Sequence, residues 1–369
     1  MPRTEIPFGD PRAQKRWSAD LAVDTNAKSY FTKKFIGIGD NYAVEMKTEL
    51  ETDVGDRVSF DLSVQLRGTP TTGDNRLKGR EENLRFYTDE VIVDQTRKSV
   101  SAGGKMARKR TAHDLRKVGK ARLSDYWARY IDQLLFMYLA GARGMNEDFI
   151  EATDYTGHAG NAFAAPDADH IIYGGDATSK ASIVAADKMK KDVIERAATH
   201  ASMLQAQNPD MANMMPLSIE GEEHYVCVMS PWQSYDMRND AGAQSWFEIN
   251  KAAAAAEGSK NRIFKGALGM IANVVLHEHR NTIRFADYGA GANVPAARAL
   301  FMGRQAGVIA YGVPEGSNGR FSWVEETDDY GNEPACAAGT IVGVKKTRFN
   351  SYDFGMLAID TAAAQPVGS

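Results

Sequence analysis

"RVSFDLSVQLRGTPTTGDNRLKGREENLRFYTDEVIVD", Arg57–Asp94, is the stretch on which the reading of this chain turns. In its first ten residues Val58, Phe60, Leu62, Val64 and Leu66 alternate with polar neighbours, the period-two pattern of a half-buried strand. A second strand follows over Leu84–Asp94 and carries the β-rich "EVIVD". Paired, the two make a hairpin whose tip, residues 67–83, is polar, contains Gly68, Pro70, Gly73 and Gly79, and far exceeds the usual two to five residues. Such a tip has too little apolar content to fold on itself. If it is ordered, it leans on something else.

Upstream, a Pro/Gly-rich opening, Met1–Asp10, leads into a helix over about Ala13–Phe35. Its apolar positions are irregular, which suits an arm laid on a neighbouring surface better than a core helix. Downstream, Leu115, Val118, Leu123, Trp127, Ile131, Leu134, Leu135 and Tyr138 recur every three or four residues. That spacing predicts a helix over about Thr111–Gly141 with one apolar face, stopped by Gly141 and Gly144. Some 30 residues would make it roughly 45 Å long, unusual for a globular protein. Loop and short strand fill 142–177, and a helix is expected over Lys180–Gln207. Strand-like "HYVCVMS" then meets Pro231 and a helical turn, "PWQSYDMRND", before an alanine-rich helix, "WFEINKAAAAAEG". Beyond Lys260 come short strands: "ANVVLHEH", "RQAGVIAYG", "GTIVGVKKTRF" and "DFGMLAIDTA". The class is α+β.

At 369 residues, 43% hydrophobic and 25% charged, the chain is long and apolar enough for two or three cores. A net charge of −4 makes it no polycation overall. Two cysteines, Cys227 and Cys336, form no zinc or disulfide framework, which points to a reducing compartment. No apolar run approaches the roughly 20 residues that span a bilayer, and the N-terminus lacks the apolar core of a secretion signal. The expected setting is a cytoplasm, without a membrane.

Candidate chemistry is sparse. His277-Glu278-His279 follows a strand, so both imidazoles are expected on one face, a geometry that can chelate. No histidine follows His279, and the other five lack ligand spacing, so strand-end polar residues at a surface or subunit contact are the alternative. Between Arg97 and Arg122, ten Lys/Arg stand against one acid, Asp114. Arg108, Lys109 and Arg110 are the densest part. That run reads as a subunit or solvated face, or as polyanion contact without aromatic stacking platforms. The acidic "DDYGNEP" and "IEGEEH" could meet it across a subunit boundary. "GALGMIANV" and "GAGANVP" lack phosphate-loop and dinucleotide spacings and read as turns, and no G-x-S-x-G elbow occurs. No catalytic, cofactor-binding or metal residue is assigned.

The order of arm, long hairpin, single long helix, mixed body and C-terminal strand resembles the major capsid protein of tailed bacteriophages, a fold shared with herpesvirus capsid floors and encapsulins. "KTELETDVGDRVSFDL", "IVDQTRKSVSAGGKMARKRTAHDLR", "FKGALGMIANVVLHEHR" and "FMGRQAGVIAYG" closely resemble segments of one such phage family, over roughly residues 30–362. The resemblance implies an N-terminal arm (1–50), an extended hairpin loop (51–96) and a peripheral domain (97–175) with its spine helix at about 111–141. An axial domain (176–345) and a C-terminal strand returning beside the spine helix (346–369) complete it. Arg76, Lys78, Arg80, Glu81 and Glu82 at the hairpin tip, with Arg108, Lys109 and Arg110, become candidate subunit contacts. Charges there fix register more than they add affinity.

What the resemblance implies for function is a structural, non-enzymatic shell protein. It would self-assemble as pentamers and hexamers of an icosahedral head around double-stranded DNA, touched non-specifically. Its implied partners are itself, a separate scaffolding protein, a portal and a decoration protein. Its place would be the virion, and the host cytoplasm during assembly. An encapsulin-like compartment, a metal-dependent hydrolase using His277 and His279, and a nucleic-acid binder acting through residues 97–122 remain alternatives.

Overall fold

The long helix, Leu115–Ala140, is the frame of the molecule: 26 residues, or about 39 Å. The computed structural model describes residues 21, 23–51, 54–63, 66, 68–111, 114–207, 211–219, 221–240, 263, 267–313 and 319–366. In the first half Leu123 and Trp127 are buried as the spacing predicts, but Val118, expected on the same face, is 44% exposed. From Ile131 to Ala140 every residue is buried, polar Asp132 and Gln133 included. A helix buried all round lies inside a core rather than on one. Its stop is steric as well as conformational. Gly141 has φ 69°, and a Cβ there would lie 2.1 Å from the Ala164 carbonyl oxygen.

The chain before the helix is not a loose arm. Residues 23–28 are helical, the helix breaks at Ser29, and a short second helix runs Tyr30–Lys34. Phe31 and Phe35 are buried in the main core, correcting the expectation of one continuous helix lying on a neighbour. The part of that expectation before residue 21 lies outside the described residues. Two strands follow inside the supposed arm, β1 (Ile36–Gly37) and β2 (Val44–Lys47). Then come the hairpin strands β3 (Arg57–Ser63) and β4 (Phe86–Ile92), and β5 (Asp94–Ser101).

After the helix, β6 (Ile171–Tyr173) precedes a helix that starts at Lys191 and ends at Gln207; Lys180–Ser182 forms only a single 3₁₀ turn. The strands β7 (Leu217–Ile219) and β8 (Glu222–Met229) lead to Ser230, whose capping box with Gln233 starts the helix Pro231–Arg238. The expected alanine-rich helix lies outside the described residues. The rest is strand: β9 (Gly269–Ile271), β10 (Val274–Glu278), β11 (Arg284–Tyr288), β12 (Val294–Met302), β13 (Gly307–Gly312), β14 (Phe321–Asp328), β15 (Glu333–Lys346), β16 (Arg348–Phe349), β17 (Tyr352–Asp353) and β18 (Met356–Ala362). Of the glycine-rich pieces, residues 289–293 form the turn linking β11 to β12 as expected, whereas "GALGMIANV" includes strand β9 and turns only at Ala272-Asn273.

Two main sheets pack against the long helix. One has the order β1-β2-β13-β15-β14, with β5 on the other side of β15. The other has the order β6-β18-β12-β8-β10-β9, with β11 beside β12 and β7 beside β8. In this second sheet β8 alternates between two cores. Val226 and Val228 face the long-helix core, while Cys227 and Met229 face the core of helix Lys191–Gln207. Burial on both faces is why these strands read as unbroken apolar runs.

The sheets do not follow the boundaries expected from the sequence. Strands β13–β15, within the stretch 176–345, pair with β2 and β5 beside the long helix. β18, expected next to that helix, lies inside the eight-stranded sheet between β12 and β6. A buried bridge links the two parts. Arg298 on β12 donates to both carboxylate oxygens of Asp360 on β18, at 2.7 and 2.6 Å, and to the Ala140 carbonyl at the helix end, at 2.7 Å.

Candidate assembly surfaces

The hairpin is rigid at its base. β3 and β4 pair antiparallel from Arg57↔Ile92 to Ser63↔Phe86, and among the described residues with no other strand. Val58, Val91 and Val93 bury against Val308 and Ala310 of β13. The Asn161 side chain mimics a strand neighbour, accepting from the Ile92 N–H at 3.0 Å and donating to its carbonyl at 2.7 Å. Lys345 is paired with Asp89 and donates to the Glu90 carbonyl at 2.9 Å. The approach needs Gly343, where a Cβ would sit 2.1 Å from the Ile92 carbonyl oxygen.

Beyond Phe86 and Ser63 the chain has few such ties. Arg76, Lys78, Arg80, Glu81 and Glu82 are all exposed. Glu81 and Glu82 serve partly within the loop: Glu82 accepts from the Gly68 N–H and Glu81 from the Gly79 N–H, each at 2.6 Å. The sequence reading treated the tip as a charged device and missed its apolar content. Leu66, Leu77, Leu84 and Phe86 are 59–66% exposed, four large apolar side chains on one loop. The signal was present, since Leu77 interrupts an otherwise polar run. Large apolar groups held in water on one element mark an interaction surface.

Arg108, Lys109 and Arg110 end a short helix, Lys105–Arg110, directly after β5. Within the same chain, Asn332 of "DDYGNEP" already meets this helix. Asn332 accepts from the Lys105 N–H through its side chain and from Arg108 Nη2 through its carbonyl, both at 3.1 Å.

His277 is interior and His279, just past the strand end, is half-buried. His277 is 1% exposed, and its Nε2 lies 2.8 Å from the Ile263 carbonyl. Its ring meets Phe35 and Tyr30 edge-on. His279 stacks on Phe136 of the long helix with centroids 4.9 Å apart, and Tyr30 lies 4.4 Å away. Burial, helped by the Lys34 charge, pushes His277 down to about 3; burial, then Arg280 and Lys34, pushes His279 down to about 4. Both are neutral aromatic packing units. Glu278 turns instead to Arg238, at 3.3 Å. Among the described residues no three His, Cys, Asp or Glu groups converge as metal ligands.

Asp132 acts on the same cluster from the long helix. Its carboxylate accepts from Ser29 Oγ at 2.8 Å, the Tyr30 N–H at 2.8 Å and the Phe31 N–H at 3.1 Å, capping the short helix from 100 residues away in sequence. Burial lifts it to about 6 against those hydrogen bonds.

The profile of the family described as phage capsid protein matches residues 5–365 of this chain. The chain is similar to the capsid of Ralstonia phage GP4, with 61% identity, a TM-score of 0.87 and 100% of both chains covered. The major capsid protein of Pseudomonas phage KPP25 is 26% identical over 362 residues, 90% of this chain and 91% of that one. The capsid of cyanophage Pam1 superposes with a TM-score of 0.69 over 99% of this chain and 95% of that one, at 20% identity, a likeness of fold alone.

Proposed function

This chain belongs to the phage capsid protein family, and on that premise we propose that it builds the pentamers and hexamers of an icosahedral head enclosing double-stranded DNA. Its fold is the α+β fold of tailed-phage major capsid proteins, and its place is the shell of the virion. The observation that carries the finer reading is the hairpin Arg57–Ile92. Its base is locked into the protomer, while its far end exposes Leu66, Leu77, Leu84 and Phe86 together with Arg76, Lys78, Arg80, Glu81 and Glu82. A tip of that composition gains its packing from a neighbouring copy. Many modest, reversible contacts of this kind let misplaced subunits leave, and summed over several neighbours they bury the area of an obligate assembly. The role is structural and uses no catalytic residue. A separate scaffolding protein sets the lattice, a portal occupies one vertex, a decoration protein is a further partner, and the packaged DNA is touched through its phosphates without sequence preference.

The deciding experiment is electron microscopy of the purified chain, alone and coexpressed with its neighbouring genes. Closed shells of uniform size are expected, with DNA as the content of particles from infected cells. A chain that stays monomeric at every concentration and ionic strength, helpers included, ends the reading. Particles filled with a protein cargo instead of DNA redirect it to a cellular compartment.

A further inference from the structure

Three strands of the six-stranded sheet, β5-β15-β14, form a ribbon with two unlike edges. β15 pairs with β14 from Phe321↔Thr340 to Asp328↔Glu333, and on its opposite side with β5 from Ala335↔Ser101 to Val342↔Asp94. Neither β5 nor β14 has a strand on its outer side along the ribbon among the described residues. The β5 edge carries Arg97 and Lys98 and runs into Lys105, Arg108, Lys109 and Arg110. Beside it a cleft of about 690 Å³ opens against the long helix, lined by Lys28, Lys98, Val100, Arg122, Tyr126 and Arg129. Asp125 offsets part of that charge, through Lys28 at 2.7 Å and Arg122 at 3.6 Å. The β14 edge is the reverse. Glu326, Asp328 and Asp329 are exposed along it, with Val324 52% exposed among them, and Tyr330 at the turn is fully exposed.

An open strand edge is an aggregation hazard that proteins blunt with like charges. Here the two edges repel copies of themselves and attract each other. Resting on the shell reading above, we propose that the acidic β14 edge of one copy docks against the basic β5 edge and its cleft in the next, a head-to-tail contact between copies of this chain. A heterologous contact of this kind closes into a ring when its rotation divides a full turn. Ribbons joined edge to edge stand only about 14 Å apart, three strand spacings, so the contact belongs close to a rotation axis. Backbone pairing supplies affinity and the charges supply register and partner choice.

The test uses the full chain under its assembly conditions, with three variants checked for folding by thermal melting. Arg97→Glu with Lys98→Glu reverses one edge, Glu326→Lys with Asp328→Lys reverses the other, and the third variant carries all four changes. Each single-edge variant is expected to melt near the unaltered chain yet lower particle yield by about tenfold or more, that is about 1.4 kcal/mol per contact. The four-fold swap is expected to restore yield. Unimpaired assembly of both single-edge variants overturns the contact while leaving the shell reading intact. Loss only in the β5 variant, without rescue in the swap, overturns it in favour of another anionic occupant. Failure of the unaltered chain to form particles removes the shell reading, and this contact with it.

Discussion

The stretch Ile131–Ala140 and the hairpin tip 68–85 are opposites. In the helix stretch all ten residues are buried, and even Asp132 and Gln133 find partners inside: Gln133 accepts from the Ile150 N–H at 2.9 Å. In the tip nearly every residue faces water, and the few hydrogen bonds span turns of the loop itself. One region makes the protomer stable; the other adds almost nothing to it and, on the reading proposed above, serves contact with another copy. Substitutions should therefore separate stability from assembly.

The largest effect is expected at the bridge between helix and sheet. Asp360→Ala leaves the Arg298 guanidinium and the Tyr288 hydroxyl, which donates to Asp360 at 2.6 Å, without their buried acceptor. A loss of about 3–5 kcal/mol is expected, read as a shift of the urea midpoint or as insoluble protein. Next comes Asp132→Ala, which orphans the Tyr30 and Phe31 N–H groups and costs about 1–3 kcal/mol. Its signature would be faster proteolysis near residues 23–34 than elsewhere.

A smaller effect comes from pH. His277 and His279 titrate near 6.5 when unfolded but only at about 3 and 4 when folded. As pH falls below 6.5 the unfolded chain takes up protons that the native one refuses, so stability present above that pH is lost. Each histidine contributes at most about 1.4 kcal/mol per pH unit. Asp132, raised to about 6 from 3.8, acts in the opposite sense between those values, because there the folded state holds the extra proton. Of these three groups, two favour a fall in melting temperature from pH 6 to 4 and one opposes it. His279→Phe should make that fall shallower, and an unchanged slope would show that the His279 imidazole is not held neutral.

Least affected is the tip. Leu77→Ser with Leu84→Ser should leave protomer melting within about 0.5 kcal/mol while reducing shell formation seen by sedimentation. If instead the protomer is destabilised and assembly is unimpaired, the contrast between the two regions has been misdrawn.

The tip and the long helix were both legible because their signals are local. Val58, Phe60 and Leu62 alternate, and Trp127, Ile131, Leu134 and Tyr138 follow the helical period, whatever lies around them. His277 misled for the opposite reason: its setting depends on Tyr30 and Phe35, more than 200 residues away, and no periodicity records that. The arm was misjudged likewise. Its irregular apolar positions are those of a helix broken at Ser29 and capped by Asp132, a partner invisible from residues 13–35. The pairing of β15 with β5 and β13 was equally invisible, since β15 looks alike whether it joins one sheet or the other.

By itself the sequence determined the hairpin strands, the long helix and the kinship with phage capsid proteins. The tertiary structure alone decided which strands are neighbours, which charges are interior bridges and which edges stay open. The reason is physical. Periodicity reports which side of a segment avoids water, but the partner covering that side is chosen by packing among residues far apart along the chain.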